Sequence, residues 1–204
     1  LAAAPADPEA RRACSGLLAR IGAEHQAAGR LQQAADAFDS ALMLDDRNLG
    51  YALQLARLLI ALRNSPAARH VLAHAERLAP NERAVASLQA DLARMLGDWP
   101  ELERAALKLA EMAKGDPSAW RAVASARAQQ GRYGPALEAF EKAIGENSPS
   151  ADDIVEFAQL SFQALDFPRA EKALGAAESI APRAPGVLAA KALLLTYQGK
   201  AQQA

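Results

Sequence analysis

The chain has 204 residues, of which 51% are hydrophobic and 5% aromatic, and its formal net charge is −1. A charge balance this even supplies no basic field for nucleic acid or for an anionic membrane surface. Cys14 is the one cysteine, which excludes an intrachain disulfide framework, and no apolar run approaches the roughly 18–20 residues that would insert across a bilayer.

The two ends indicate a piece of a longer or processed chain. The sequence begins at Leu1 rather than methionine, and it stops at Ala204 inside a pattern that should continue. We expect a cytoplasmic location, which the lone cysteine also suits. The periplasm stays open as the alternative, because a leader removed upstream of Leu1 would not be seen.

The first predicted helix begins at Asp7-Pro8-Glu9, which offers a capping carboxylate, a proline where the missing N–H is harmless and an acid in the first turn. Helical periodicity then continues to about residue 28, where Gly29 breaks it. A second helix is predicted over residues 31–44, ahead of a polar turn. Alanine-rich composition with few β-branched residues favours helices throughout.

This two-helix pattern repeats along the chain. The turn at Gly131 and the helix after it have counterparts upstream at Gly29 and downstream at Asp166. A fixed period of about 34 residues is typical of stacked helical repeats. After an N-terminal tail and helix extension at 1–14, we predict repeats at 15–48, 49–82, 83–116, 117–150 and 151–184, with a partial sixth at 185–204.

Small residues recur where the helices should approach each other. Each first helix has glycine or alanine at one repeat position: Gly22, Ala56, Ala90, Ala124, Ala158 and Ala192. The second helices favour a small, large, small pattern, as in Ala136, Phe140 and Ala143. Since a single helix pair cannot bury its apolar stripes, each pair needs a neighbour.

One repeat shows which family these features resemble. Repeat 117–150 carries Trp120, Ala124, Gly131, Tyr133, Ala136, Phe140 and Ala143 at the spacing of the tetratricopeptide repeat (TPR) family. The resemblance, which points to a bacterial protein, implies an all-α, right-handed superhelical solenoid of antiparallel helix pairs. It also implies a concave groove, lined by the first helices, that receives an extended peptide or a partner helix.

The third repeat departs most from the pattern. It has Leu102, Ala106 and Leu109 where small, large and small residues are expected, although a shift by one residue brings Ala105 and Ala110 nearer the small positions. We therefore expect a locally altered helix around residues 101–112.

No residue set predicts catalysis or a metal site. His70 and His74 are four residues apart on a predicted helix, but a zinc site needs further ligands. Cys14 lies near Arg11 and Arg12 without a nearby histidine, and the glycines stand singly at turns rather than in a phosphate-binding loop. We expect no enzyme activity and no cofactor.

Four residues share the repeat position that starts the second helix: Leu31, Trp99, Tyr133 and Phe167. Aromatic side chains in a row can form a platform for peptides or nucleic acid. Because these four share one structural position, we interpret them instead as packing wedges between repeats.

Projection of the first helices onto the concave side selects the predicted partner-binding groove: Arg20, Leu53, Gln54, Arg57, Ile60, Asp91, Arg94, Arg121, Gln129, Gln159 and Phe162. The same projection adds Ala23, Gln26, Ser87, Ser125, Glu156 and Gln163. Arg57, Arg94 and Arg121 could bind a carboxylate of the partner. Leu53, Ile60 and Phe162 could accept its apolar side chains. The alternative is that the arginines only keep the surface soluble. The lysine and asparagine clamp of one TPR subset is replaced here by Ala19 and Ala23, which argues against a chaperone co-factor.

We therefore expect a non-enzymatic protein-interaction scaffold that binds a protein or peptide partner. One alternative is the N-terminal module of a larger bacterial enzyme, such as a sulfotransferase or glycosyltransferase. Another is a scaffold for envelope assembly or exopolysaccharide export. Self-association is compatible with all three interpretations. The first helix of the partial sixth repeat carries Ala189, Ala192, Leu193 and Leu195 and is apolar nearly all round.

Overall fold

The structure is a computed structural model that describes residues 7–113, 116–144 and 150–197. Within these ranges the chain forms eleven α-helices and no strand. In chain order the helices are α1 (Pro8–Ala27), α2 (Leu31–Leu44), α3 (Leu49–Ala61), α4 (Ser65–Leu78), α5 (Arg83–Leu96), α6 (Trp99–Met112), α7 (Pro117–Gln129), α8 (Tyr133–Ile144), α9 (Ala151–Gln163), α10 (Phe167–Ile180) and α11 (Pro185–Tyr197).

The helix starts follow the period seen in the sequence. First helices begin at positions 49, 83, 117, 151 and 185, and second helices at positions 31, 65, 99, 133 and 167. Both series therefore advance by one constant step. The all-α helix-repeat fold class is thereby confirmed. The repeat boundaries and the right-handed superhelix remain predictions.

Capping side chains mark the N-terminal ends of several of these helices at repeating positions. Asn48 accepts a hydrogen bond from the N–H of Tyr51, Glu82 from Ala84 and Asp116 from Ser118. Ser150 and Asp153 form a reciprocal capping box at the start of α9. Because the first N–H groups of a helix lack partners within it, each cap fixes where its helix begins.

The chain divides into two compact units, Leu1–Asp98 and Trp99–Ala204. We call them the N-terminal unit and the C-terminal unit. The division falls between α5 and α6, the two helices of the predicted third repeat. That repeat is also the one whose sequence departs most from the pattern.

The core of the N-terminal unit forms where α2, α3 and α4 meet, with α5 added beyond them. Phe38, Leu55 and Leu72 lie at its centre, each at most 5% exposed. The small residues Ala34, Ala56 and Ala68 are fully buried beside them. Apart from Leu55, these are the predicted small and large positions, so the packing rule inferred from the sequence describes most of this core.

Two neighbouring clusters form the core of the C-terminal unit. One surrounds Phe140 and Val123, both completely buried, and the other surrounds Leu174 and Val187. The rings of Phe140 and Phe157 link α8 to α9 with centroids 6.3 Å apart.

Helix α6 corrects one expectation. It is a regular α-helix from Trp99 to Met112, so the predicted local distortion is wrong. The change lies in which side chains are buried: Ala110 packs inside, whereas Leu109 is only half-buried. Leu102, Ala105 and Ala106 stay buried at the repeat positions of Ala68, Val71 and Leu72, so the difference is confined to the last turn of the helix.

Candidate functional site

The predicted groove residues of the N-terminal unit divide into exposed and packed side chains. Arg20 on α1 and Arg57 on α3 are exposed. Leu53 and Ile60 are half-buried because they pack against the core cluster, and Gln54 between them is also half-buried. In this unit the apolar members of the predicted groove therefore contribute partly to folding.

Asp91 and Arg94 pair with each other on α5. The Arg94 Nη1 atom lies 3.1 Å from Asp91 Oδ1, and both side chains are more than half exposed. Such exposed pairs contribute little to stability. The pair lowers the net charge that this part of the predicted groove can offer to a partner.

Arg121 has a structural partner that the sequence analysis did not foresee. Its guanidinium on α7 forms an ion pair with Asp153 on α9, the same carboxylate that caps α9 through Ser150. Burial would raise the pKa of Asp153, but the hydrogen bonds from Ser150 and the Arg121 charge outweigh burial and lower it. Arg121 therefore ties two neighbouring first helices together as well as lying on the predicted groove.

The structure brings five predicted groove residues together between α7 and α9. A cleft of about 180 Å³ is lined by Ser125, Gln129, Glu156, Gln159 and Gln163, above the apolar Ala128 and Leu160. The five polar side chains are exposed. Among the described residues, the amides of Gln129, Gln159 and Gln163 make no hydrogen bond, so their donors and acceptors face solvent.

A second cleft of about 290 Å³ follows between α9 and α11. It shares Gln159 and Gln163 with the first cleft and adds Phe162, Leu193 and Tyr197. We call the two adjoining clefts the first-helix surface of the C-terminal unit. Its character changes from amide side chains on α7 and α9 to apolar side chains on α11.

Phe162 is more buried than the sequence suggested. It is 6% exposed and stacks on Tyr197, with ring centroids 6.1 Å apart and an interplanar angle of 15°. Phe167 completes the cluster, 5.6 Å from the Tyr197 ring. Phe162 still lines the second cleft, so its place in the predicted partner-binding groove remains a prediction.

Sequence reasoning named Leu193 only as part of an apolar helix open to self-association, and it missed Tyr197 as an exposed apolar residue of this surface. Tyr197 is 61% exposed and Leu193 42% exposed. They occupy the repeat positions of Gln159 and Gln163, one repeat further along the chain. The repeat spacing alone would have selected both residues if the projection had been extended to α11.

Glu156 is the acidic group of the first cleft. Although its side chain is exposed, partial desolvation in the cleft raises its pKa; Arg121 acts in the opposite direction, and Asp153 adds a smaller increase. Within the described part of the chain it forms no ion pair. A cation placed in the cleft would therefore meet a carboxylate whose charge is only partly compensated.

The second-helix faces carry grooves as well. In the C-terminal unit a groove of about 660 Å³ has Ile154, Phe157 and Ala173 among its lining residues. At its rim Arg169 lies 3.8 Å from Glu141 and 3.6 Å from Asp166, so its charged groups offset one another. An equivalent groove of about 340 Å³ in the N-terminal unit includes His70.

The histidines show no sign of metal binding. His74 contacts the carbonyl oxygen of Asp46 through Nε2, at 2.7 Å, and His70 is exposed on α4. In residues 7–113, 116–144 and 150–197 no group of three or more histidine, cysteine, aspartate or glutamate side chains could hold a metal ion. None of the helices in these ranges combines the length and the hydropathy that a bilayer-spanning segment requires.

A charged cluster fixes α6 against the turn between α7 and α8. Glu103, with a 13% exposed side chain, accepts hydrogen bonds from Arg127 at 2.7 Å, Gln130 at 3.1 Å and Arg132 at 2.8 Å. Arg127 also donates to the Pro135 carbonyl oxygen. Because the donors and acceptors are matched, the cluster is explained as structural support.

The predicted packing wedges are all half-buried: Leu31, Trp99, Tyr133 and Phe167. Phe167 packs against Phe162 within its own predicted repeat and against Tyr197 of the next one. Leu31 packs against the core of the N-terminal unit.

Comparison with known proteins identifies the repeat. Residues 25–92 match the family model described as Tetratricopeptide repeat. No curated protein sequence matches the chain.

Three solved structures illustrate the fold similarity. A MamA protein is 15% identical, covers 83% of this chain and 93% of its own, and has a TM-score of 0.73. YrrB, described as a TPR protein with an unusual peptide-binding site, is 17% identical and has a TM-score of 0.70; the match covers 85% of this chain and 90% of YrrB. PilF of Pseudomonas aeruginosa is 14% identical and has a TM-score of 0.63; the match covers 93% of this chain and 86% of PilF.

Proposed function

We propose that this chain, of which residues 25–92 match the tetratricopeptide-repeat family model, is a non-enzymatic scaffold that binds an extended peptide or partner helix on its first helices. We place the contact on the first-helix surface of the C-terminal unit. The observation that carries the proposal is the convergence of Gln129, Gln159 and Gln163 from two neighbouring helices on shared clefts.

Amide side chains suit this role chemically. Each carries a carbonyl acceptor and an NH₂ donor, which match the C=O and N–H groups of a peptide backbone. An extended peptide exposes its backbone groups along its length, so a row of amides can bind it in any sequence context. Apolar residues at the end of such a row would supply the buried contact that most affinity requires.

The peptide-binding site ascribed to YrrB supports the proposal by analogy, since YrrB shares this fold. The analogy gives no position, because the two chains are only 17% identical. The position rests on the exposed amides of this chain.

A direct test starts with selection of peptides from a displayed random library on the immobilised chain. Affinities of the selected peptides are then measured by calorimetry. A Gln129→Ala/Gln159→Ala/Gln163→Ala variant should bind at least about tenfold more weakly, since each lost hydrogen bond contributes about 0.5–1.5 kcal/mol. A matched control, Glu138→Ala/Glu171→Ala/Lys172→Ala, changes three exposed residues on the second helices of the same unit.

Equal affinity for the amide variant and the wild type, with helical content unchanged, would move the site elsewhere. In that case Arg57→Glu provides the next test, because Arg57 is exposed in the N-terminal unit. Arg94 and Arg121 are poorer choices for a charge reversal, since each already pairs with an acid of the chain.

A further inference from the structure

The first-helix surface of the C-terminal unit has two chemically different halves joined by one pair of amides. Gln159 and Gln163 line both clefts. On one side of them lies the carboxylate of Glu156, and on the other side lie Leu193 and Tyr197. A ligand that crossed both clefts would meet an acid, then amides, then an apolar wall.

The exposed carboxylate of Glu156 favours a cationic ligand group. The charged groups that act on it are Arg121 on α7 and Asp153 on α9, and these two pair with each other. Glu156 itself forms no ion pair within the described residues and opens onto the cleft. An incoming cation would therefore gain a partner, whereas an incoming carboxylate would be repelled.

The apolar half favours a large hydrophobic side chain. Tyr197 is held in place by stacking on Phe162 and by contact with Phe167, yet it remains 61% exposed. An aromatic wall with an exposed leucine beside it offers a ligand residue buried apolar contact.

We propose that this surface selects an extended peptide with an arginine or lysine and a large apolar residue about three positions apart. This inference rests on the proposed function. The basic side chain pairs with Glu156, and the apolar side chain packs on Leu193 and Tyr197. Gln159 and Gln163 hydrogen-bond the backbone between them.

The spacing follows from helix geometry. Glu156 lies one turn before Gln159 on α9, about 4.5 Å along the helix axis, and Leu193 lies on α11, about 8–10 Å across from α9. The two contacts are therefore about 10 Å apart. An extended chain in the polyproline II conformation advances about 3.1 Å per residue with about three residues per turn, so side chains three positions apart lie on the same face at this separation. Both orders along the peptide are tested.

The experiment uses the full chain and dye-labelled twelve-residue peptides in fluorescence anisotropy. Each order, Arg-Ala-Ala-Leu and Leu-Ala-Ala-Arg, is set in a Gly/Ser background. Two matched peptides replace arginine by glutamate or leucine by alanine. We expect one order to bind and both replacements to weaken it about tenfold or more.

Variants of the chain assign the two contacts. Glu156→Gln should weaken the arginine peptide several-fold and remove the discrimination against its glutamate counterpart. Tyr197→Ala should weaken binding about tenfold and remove the discrimination against the alanine counterpart. The controls Glu138→Gln and Ile180→Ala, both at exposed positions of the same unit, should leave affinity unchanged.

The outcomes separate this inference from the proposed function. Library peptides that bind through Gln159 but lack the basic and apolar pair would overturn the selectivity and leave the scaffold proposal standing. A library that yields no binder at all would overturn both. Preference for a preformed helical peptide, or self-association that Tyr197→Ala abolishes, would also overturn the inference by assigning the surface to another occupant.

Discussion

Leu165 adopts the same left-handed backbone conformation as Gly131, its counterpart one repeat earlier, with φ of 59° against 73°. Gly29, Arg63 and Gly97 occupy the equivalent positions, and all have positive φ. The turn between the two helices of each repeat thus imposes a conformation that suits glycine, and two of the five residues accept it at a cost.

The first prediction is that Leu165→Gly stabilises the chain by about 0.5–1 kcal/mol. A side chain in the left-handed region costs about 1–2 kcal/mol, and the greater freedom of glycine in the unfolded chain offsets part of the gain. The Leu165 side chain is 69% exposed, so little packing is lost. Urea unfolding followed by circular dichroism measures the change.

Two control variants isolate the backbone effect. Leu165→Ala removes the side chain but keeps the strained conformation, so its stability should stay near wild type. Gly131→Ala should destabilise by about 1 kcal/mol through strain alone, because a Cβ at this position would meet no atom within 4 Å. Equal stability of Leu165→Gly and Leu165→Ala would contradict the explanation.

Much of the fold could be predicted because the repeat constrains it many times over. The boundaries of α2 were predicted to the residue, since Gly29 and the polar turn after Leu44 mark both ends. The buried positions followed from the small and large pattern. Local signals of this kind depend on neighbours in sequence, which the sequence shows directly.

The surface could be predicted less well because its chemistry depends on partners distant in sequence. Asp153 lies 32 residues from Arg121, and nothing local indicates that they pair. The burial of Phe162 depends on Tyr197, a contact between helices. The projection selected side chains of α7 and α9 that line one cleft, but only coordinates separate side chains that are exposed from those already engaged.

The second prediction concerns Glu103. Replacement by glutamine should destabilise the C-terminal unit by about 2 kcal/mol, because Arg127 loses its charged acceptor in a largely buried site. Glu101→Gln is the matched control on the same helix. Its partner Arg104 is an exposed neighbour three residues away, so its effect should stay within about 0.5 kcal/mol. Similar losses for the two variants in thermal unfolding would show that the cluster adds no stability.

The third prediction is an acid sensitivity that originates partly in the same cluster. Burial would raise the pKa of Glu103, but hydrogen bonds from Arg127 and Gln130 and the charges of Arg132 and Arg127 hold it below its ordinary value of 4.5. The folded chain therefore binds this proton less readily than the unfolded chain. The stabilisation is fully present above pH 4.5, the ordinary pKa of the group, and it is lost as the pH falls through the lowered pKa.

Measurement of the urea midpoint at about pH 7 and about pH 3 tests this sign. Glu103→Gln should lose less stability on acidification than the wild type, although some loss should persist because the pKa of Asp153 is also lowered. An identical acid loss in both proteins would place the sensitivity elsewhere.

The last prediction is that Gly22→Ala destabilises the chain, against the pattern of its own repeats. Five equivalent positions carry alanine, and helix propensity alone would favour the change by about 1 kcal/mol. However, a Cβ on Gly22 would lie 2.9 Å from the buried Phe38 ring. Overpacking of this kind costs about 1–3 kcal/mol, so the net loss should be about 1 kcal/mol.

Gly16→Ala is the control, because it lies in the same helix and its Cβ would meet nothing within 4 Å. It should stabilise the chain by up to about 1 kcal/mol. The cause of the Gly22 effect can be isolated with Phe38→Leu, since Leu72 occupies the equivalent position beside Ala56 in the next repeat. In the Phe38→Leu background Gly22→Ala should become neutral or stabilising, because the smaller side chain leaves room for the methyl group. A loss of the same size in both backgrounds would mean that Phe38 is not what excludes alanine from position 22.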